Sequence, residues 1–72
     1  MALNLRPIIV EGMIEETLPG LLFRVRLENQ KQVLAHLAGK MKLNRIRVIA
    51  GDRVLVEMSS LEEKRGRIVR RL

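Results

Sequence analysis

The chain has no cysteine, tryptophan or tyrosine, and only one histidine and one phenylalanine among its 72 residues. Without cysteine there is no disulfide, no thiolate metal ligand and no cysteine nucleophile. His36 is the sole histidine, so no histidine cluster can hold a transition metal. Nor does a Ser, Cys or second His accompany it at the spacing a general base needs. No apolar run approaches the ~20 residues of a membrane helix. Met1-Ala2-Leu3-Asn4-Leu5-Arg6-Pro7 lacks the basic and apolar regions of a secretory signal. These absences predict a protein that is not an enzyme, holds no cofactor or metal, has no membrane partner, and works in a reducing cytoplasm. The length predicts one domain near the lower limit at which a single core folds unaided.

What is plentiful is positive charge, and it is unevenly placed. Fourteen basic against eight acidic residues give a net +6. Residues 1–36 hold four of each sign, so residues 37–72, with ten basic and four acidic groups, carry the whole excess. Asymmetry of this kind in a small domain points to a polyanion, with nucleic acid the leading candidate. Two segments concentrate it: Lys40, Lys42, Arg45, Arg47 and Arg53 against Asp52, and then Lys64, Arg65, Arg67, Arg70 and Arg71 with no acid. With Phe23 as the only aromatic residue, binding cannot rest on several stacked bases and must use charge, guanidinium planes and shape.

The hydropathy pattern has a period of two along most of the chain, which is the period of strands with one buried face. Residues 1–7 read as a loose extension. Ile8 to Thr17 reads as a first strand, with Gly12 suggesting a bulge or sharp bend. Leu18-Pro19-Gly20 reads as a type II-like turn. Leu21 to Glu28 forms the clearest strand, with Leu21, Phe23, Val25 and Leu27 on one face. Asn29-Gln30 is a hairpin connection, and Lys31 to Ala38 a third strand. Gly39 interrupts the pattern, and Lys40 to Asn44 is long enough for about one helical turn. Arg45 to Ile49 reads as a short extended piece and Ala50-Gly51-Asp52 as a turn. Arg53 to Met58 is a fourth strand with Val54, Val56 and Met58 inward. A polar loop leads to a fifth strand over Gly66 to Leu72.

Five short strands with a helical insert between the third and fourth predict an all-β fold, the OB-fold Greek-key barrel. A five-stranded SH3-like barrel is the structural rival, but it rarely carries an insert at this place. The expected arrangement is a meander of the first three strands with one face buried.

Three stretches and the chain's last segment also resemble a known family. They are Glu16-Thr17-Leu18-Pro19 through Phe23-Arg24-Val25, Leu27-Glu28-Asn29 through Ala35-His36-Leu37-Ala38-Gly39-Lys40-Met41, Ile46-Arg47-Val48 with Gly51-Asp52-Arg53-Val54, and Lys64-Arg65-Gly66-Arg67-Ile68-Val69. In order and spacing the chain resembles bacterial or plastid translation initiation factor one from about Ile8 to Arg71. The resemblance implies a factor that sits in the aminoacyl site of the small ribosomal subunit, where it contacts ribosomal RNA of the decoding site and an adjacent ribosomal protein. It implies that the factor blocks premature tRNA entry, assists the other two initiation factors, and acts as a monomer. Of the family's ribosome-facing positions it keeps Arg24, His36, Lys40, Met41, Lys42, Arg47, Arg65 and Arg67. Arg45 stands where the family usually has an aromatic residue, Leu61 replaces a tyrosine, and Arg70 replaces an aromatic or aliphatic residue.

The candidate RNA- and ribosome-binding residues are therefore Arg24, His36, Lys40, Met41, Lys42, Arg45, Arg47, Lys64, Arg65, Arg67, Arg70 and Arg71. Several carry a plainer alternative. The basic segments could be ordinary solvated surface, His36 a strand residue at the edge of a site, and Met41 either an apolar contact for RNA or a plug for the barrel end. Glu15-Glu16 and Glu62-Glu63 read as solvated charge, since strand neighbours point to opposite faces. Two other functions compete: a generic single-strand RNA binder or RNA chaperone, and an SH3-like adaptor for an acidic protein. The scarcity of aromatic rings weighs against the first.

Overall fold

The first strand, β1 (Ile8–Leu18), holds the molecule together by pairing on both sides. Its first half, Ile8 to Met13, runs antiparallel to β4 (Arg53–Met58), and its second half pairs antiparallel with β2 (Leu22–Leu27). β2 pairs with β3 (Gln32–Leu37), which leads into the short helix α1 (Gly39–Leu43). β5 (Arg65–Arg71) then lies parallel to β3 and antiparallel to β4, closing a barrel in the order β1-β2-β3-β5-β4. This computed structural model describes residues 7–72, so the expected loose extension over residues 1–7 lies, Pro7 apart, outside the described residues. The five strands, the insert and the parallel β3–β5 closure are those of the predicted OB-fold.

Alternation along each strand sends one set of side chains inward. Phe23, Val25 and Leu27 of β2 meet Val33, Ala35 and Leu37 of β3, Val54, Val56 and Met58 of β4, Ile14 of β1 and Ile68 of β5 in one buried cluster. Ala38, Met41 and Val48 belong to the same cluster, and no polar or charged residue among the described residues is buried. A core built almost wholly from aliphatic side chains leaves little room to spare. Gly12 and Gly66 fill the inward positions where none remains: a Cβ on Gly12 would lie 2.6 Å from Val25 Cγ1 and 3.0 Å from the Arg26 carbonyl oxygen, and one on Gly66 would lie 2.5 Å from Val56 Cγ1.

The predicted bulge is present but lies three residues further on. Gly12 pairs regularly with Leu27 and Val54; the register shifts between Ile14 and Glu16. Gly12 is thus required by close packing of strands, and Glu15 is the extra residue that coils β1 from one partner to the other. This bulge also overturns the expectation for the neighbouring glutamates. Glu15 and Glu16 do not face opposite ways: both are exposed, and they reach Arg26 and Arg24, two residues of the same face of β2.

The connections differ in detail from the sequence reading. Gly20 adopts the expected positive φ of 78°, but Leu21 follows at φ 59°, so β2 begins at Leu22 and Leu21 is exposed rather than inward. The β2–β3 connection runs over residues 28–31, four residues rather than two. Leu27 accepts from Gln30 N at 2.9 Å, and Gln30 takes the left-handed place at φ 70° that glycine usually fills in such a loop. Residues 46–49 keep the strand-like alternation, with Ile46 and Val48 turned inward, but have no ladder partner and are irregular. The turn over Ala50-Gly51-Asp52 is as expected and is anchored to the bulge region: Gly51 N donates to the Ile14 carbonyl at 2.8 Å, and Ile14 N to the Asp52 carbonyl at 2.9 Å.

Candidate nucleic-acid interface

β5 places the arginines. Its inward residues are Gly66 and Ile68, so Arg65 and Arg67 must point out. A second register shift, between Leu55 and Val56 of β4, makes Val69 the extra residue opposite that strand. Val69 then packs partly on the core, and Arg70 and Arg71 are both exposed. Because β5 runs parallel to β3, its end lies where β3 gives way to α1, with Ala38 N donating to the Ile68 carbonyl at 2.9 Å.

The two basic segments therefore meet. Lys40, Met41, Asn44, Ile46, Val69, Arg70 and Arg71 line one cleft of about 510 Å³, with apolar side chains below and cations around the rim. Arg71 Nη1 donates to the Arg47 carbonyl at 3.0 Å, tying the irregular segment to the end of β5. A second groove on the outer sheet face is lined by residues including Leu22, Leu34, His36, Glu57, Arg65 and Arg67. His36 is exposed there, opposite Leu22 on one side and Arg67 on the other. Lys64 and Arg65 begin the stripe at the other end, where Leu34 N donates to the Lys64 carbonyl at 2.9 Å. The stripe along β5 is ~20 Å long at the usual rise per residue of a strand.

α1 is ended by its own backbone hydrogen bonds. Ile46 N donates to the Met41 carbonyl at 3.0 Å and Arg45 N to the Lys42 carbonyl at 3.1 Å, the two bonds of a Schellman stop. The residue after the C-cap Asn44 must be left-handed, and Arg45 supplies it at φ 54°. That conformation leaves the Arg45 side chain in solvent, beside the exposed Lys40 and Lys42. Met41 is 1% exposed and belongs to the core, so it plugs the barrel end and forms part of the floor of this cleft.

Ion pairing separates the predicted site residues into two kinds. Arg24 is bonded to Glu16 and Arg67 to Glu57, while outside the predicted set Arg26 meets Glu15 at 2.8 Å and Arg53 meets Glu11 at 3.4 Å. Among the described residues, Lys40, Lys42, Arg45, Arg47, Lys64, Arg65, Arg70 and Arg71 have no carboxylate within bonding distance. The cations left uncompensated are therefore those of the helix–β5 end and of the start of β5. The Glu15 carboxyl is held below its usual range, chiefly by the hydrogen bond from Arg26 and then by that from Gln32.

Sequence reasoning missed Asn44, Ile46 and Val69 in the cleft, and Glu57 in the groove. The alternation of β4 shows that Glu57 faces outward, but only the β4–β5 register makes Arg67 its neighbour. No signal along the chain marks Val69 as a bulge residue. Among the described residues no group of three acids and histidines could hold a metal, and no helix is long and apolar enough to cross a membrane.

The sequence pattern of the family described as translation initiation factor 1A / IF-1 matches residues 6–72. The chain belongs to that family. Among solved structures it is similar to translation initiation factor one from the Wolbachia endosymbiont strain TRS of Brugia malayi, at 46% identity and a TM-score of 0.77, over 93% of this chain and 79% of that one. YjeQ from Thermotoga maritima matches at 24% identity with a TM-score of 0.72, over 90% of this chain and 23% of that one, and shows the shared fold alone.

Proposed function

We propose that this translation initiation factor binds ribosomal RNA at the aminoacyl site of the small ribosomal subunit, blocks premature tRNA entry there, and assists the other two initiation factors. The supporting observation is the convergence of Lys40, Arg70 and Arg71 on one cleft, continued by Arg65, Arg67 and His36 along β5. Arg and Lys side chains of this kind hold phosphate oxygens, and Arg planes stack on unpaired bases. A volume of about 510 Å³ lies within the range of small-ligand sites, so the cleft has room for a displaced nucleotide. Lys42, Arg45 and Arg47 would meet phosphates beside it, with Arg24 and Lys64 further along the sheet. The protein acts as a cytoplasmic or stromal monomer that reaches an adjacent ribosomal protein as well as RNA.

Binding of labelled protein to purified small subunits across a salt series tests this, with single-stranded RNA and an aminoacyl-site ligand as competitors. Displacement by the site ligand but not by free RNA is expected. Equal affinity for any RNA would make this a generic RNA binder, and salt-insensitive binding would point to a protein partner instead. Lys40→Glu should weaken subunit binding about tenfold and reduce the salt slope by about one, with an unchanged melt.

A further inference from the structure

The sheet face that carries the arginine stripe is flanked by two carboxylates, each attached to one of its arginines. Register sets the rows. Leu22, His36, Arg67 and Glu57 lie in one row across β2, β3, β5 and β4. Glu16, Arg24, Leu34 and Arg65 lie in the next, across β1, β2, β3 and β5. Arg67 Nη2 donates to Glu57 Oε1 at one flank, and Arg24 Nη1 donates to Glu16 Oε1 at the other. The Glu57 side chain is 25% exposed and Glu16 51%, so Glu57 is the better held of the two.

We infer that Glu57, with Glu16 on the opposite flank, determines the RNA specificity of this face by cancelling an arginine's charge at a distance while leaving its outward N–H donors free for a phosphate in contact. The inference rests on the RNA-binding reading above. Its physics is a difference of range. A guanidinium has five N–H donors, and a carboxylate on Nη2 leaves several unused. Seen from beyond a Debye length of about 8 Å, the pair is a small dipole that attracts no polyanion. It therefore adds nothing to the counterion release that drives non-specific binding. At contact the same carboxylate holds the guanidinium in one pose, so a correctly placed phosphate meets a donor already oriented. RNA of arbitrary structure gains little from Arg67 and Arg24, whereas a shaped site that reaches them gains fully.

Glu57→Gln removes the charge and keeps the shape. Affinity for polyuridylate and for small subunits would be measured from 50 mM to 1 M salt for wild type, Glu57→Gln, Glu16→Gln and Glu62→Gln. Glu62 is an acid of the β4–β5 loop with no ion-pair partner among the described residues, so its variant gains the same net charge without releasing an arginine. For Glu57→Gln the polyuridylate salt slope should steepen by about 0.7, with affinity rising about five- to tenfold at the lowest salt. Subunit affinity should hold or fall, so the specificity ratio drops. Glu16→Gln should act in the same direction, and a thermal melt would confirm that each variant is folded. A wild-type slope in both Glu57→Gln and Glu16→Gln, or an equal steepening in Glu62→Gln, overturns the inference. Wild-type protein that binds neither RNA in a salt-dependent way overturns the RNA-binding reading first, before any variant is compared.

Discussion

Arg45 shows how much one residue can be asked to do in a domain this small. It ends α1 in a left-handed conformation that costs an ordinary side chain roughly 1–2 kcal/mol, and it places a cation beside Lys40 and Lys42. The two roles can be separated. Arg45→Gly relieves the backbone and should raise stability by about 1 kcal/mol in a denaturant melt, while lowering affinity for small subunits. A loss of stability would mean that the Arg45 side chain contributes packing its exposure does not suggest. Arg45 is legible as a candidate contact from its place in the basic run, but its helix-stopping conformation is not. That depends on Ile46 N finding the Met41 carbonyl as Ile46 turns toward the core.

At the scale of elements, the bulge in β1 decides which charges meet. By moving Glu15 out of regular register it lets the Glu15 and Glu16 side chains reach Arg26 and Arg24, and it turns β1 from β4 toward β2. Glu15 has its carboxyl pKa lowered in the folded state, so its stabilising contribution is complete above the unfolded-state value and disappears as pH falls through the folded one. A carboxyl-detected NMR titration should find Glu15 protonating below the ordinary glutamate range, and Arg26→Gln should move it back up. In Glu15→Gln the acid side of the stability profile should be shallower. An unshifted Glu15 would mean that the Arg26 and Gln32 bonds do not persist in solution. Strand identities are readable from alternation alone, yet the same pattern points to Gly12 for the bulge. Glycine in a strand signals either a bulge or a close approach, and the sequence does not distinguish them.

For the whole molecule, closure is the decisive event. β5 must slide between β3 and β4, and Gly66 is the point where its backbone passes Val56 and Met58. Gly66→Ala forces those side chains aside and should destabilise the barrel by about 1–3 kcal/mol, read as a lower melting temperature. Because β5 also carries Arg65, Arg67, Arg70 and Arg71, the variant should lose RNA affinity in step with folding and regain it under stabilising osmolyte. Full RNA affinity with a lowered melting temperature would show that the stripe tolerates a shifted β5.

The sequence by itself determined the five strands, the single helical turn, the inward residues apart from Leu21, and the two basic segments. Each of these is written in local periodicity and composition, which need no distant partner. Tertiary structure alone decided which charges compensate one another, which residue fills each tight inward position, and that Lys40 and Arg71 share a cleft. Those outcomes depend on the register between strands far apart in the chain. A shift of one residue there sends every side chain to the other face, so Glu57 meets Arg67 only because the closed barrel fixes that register.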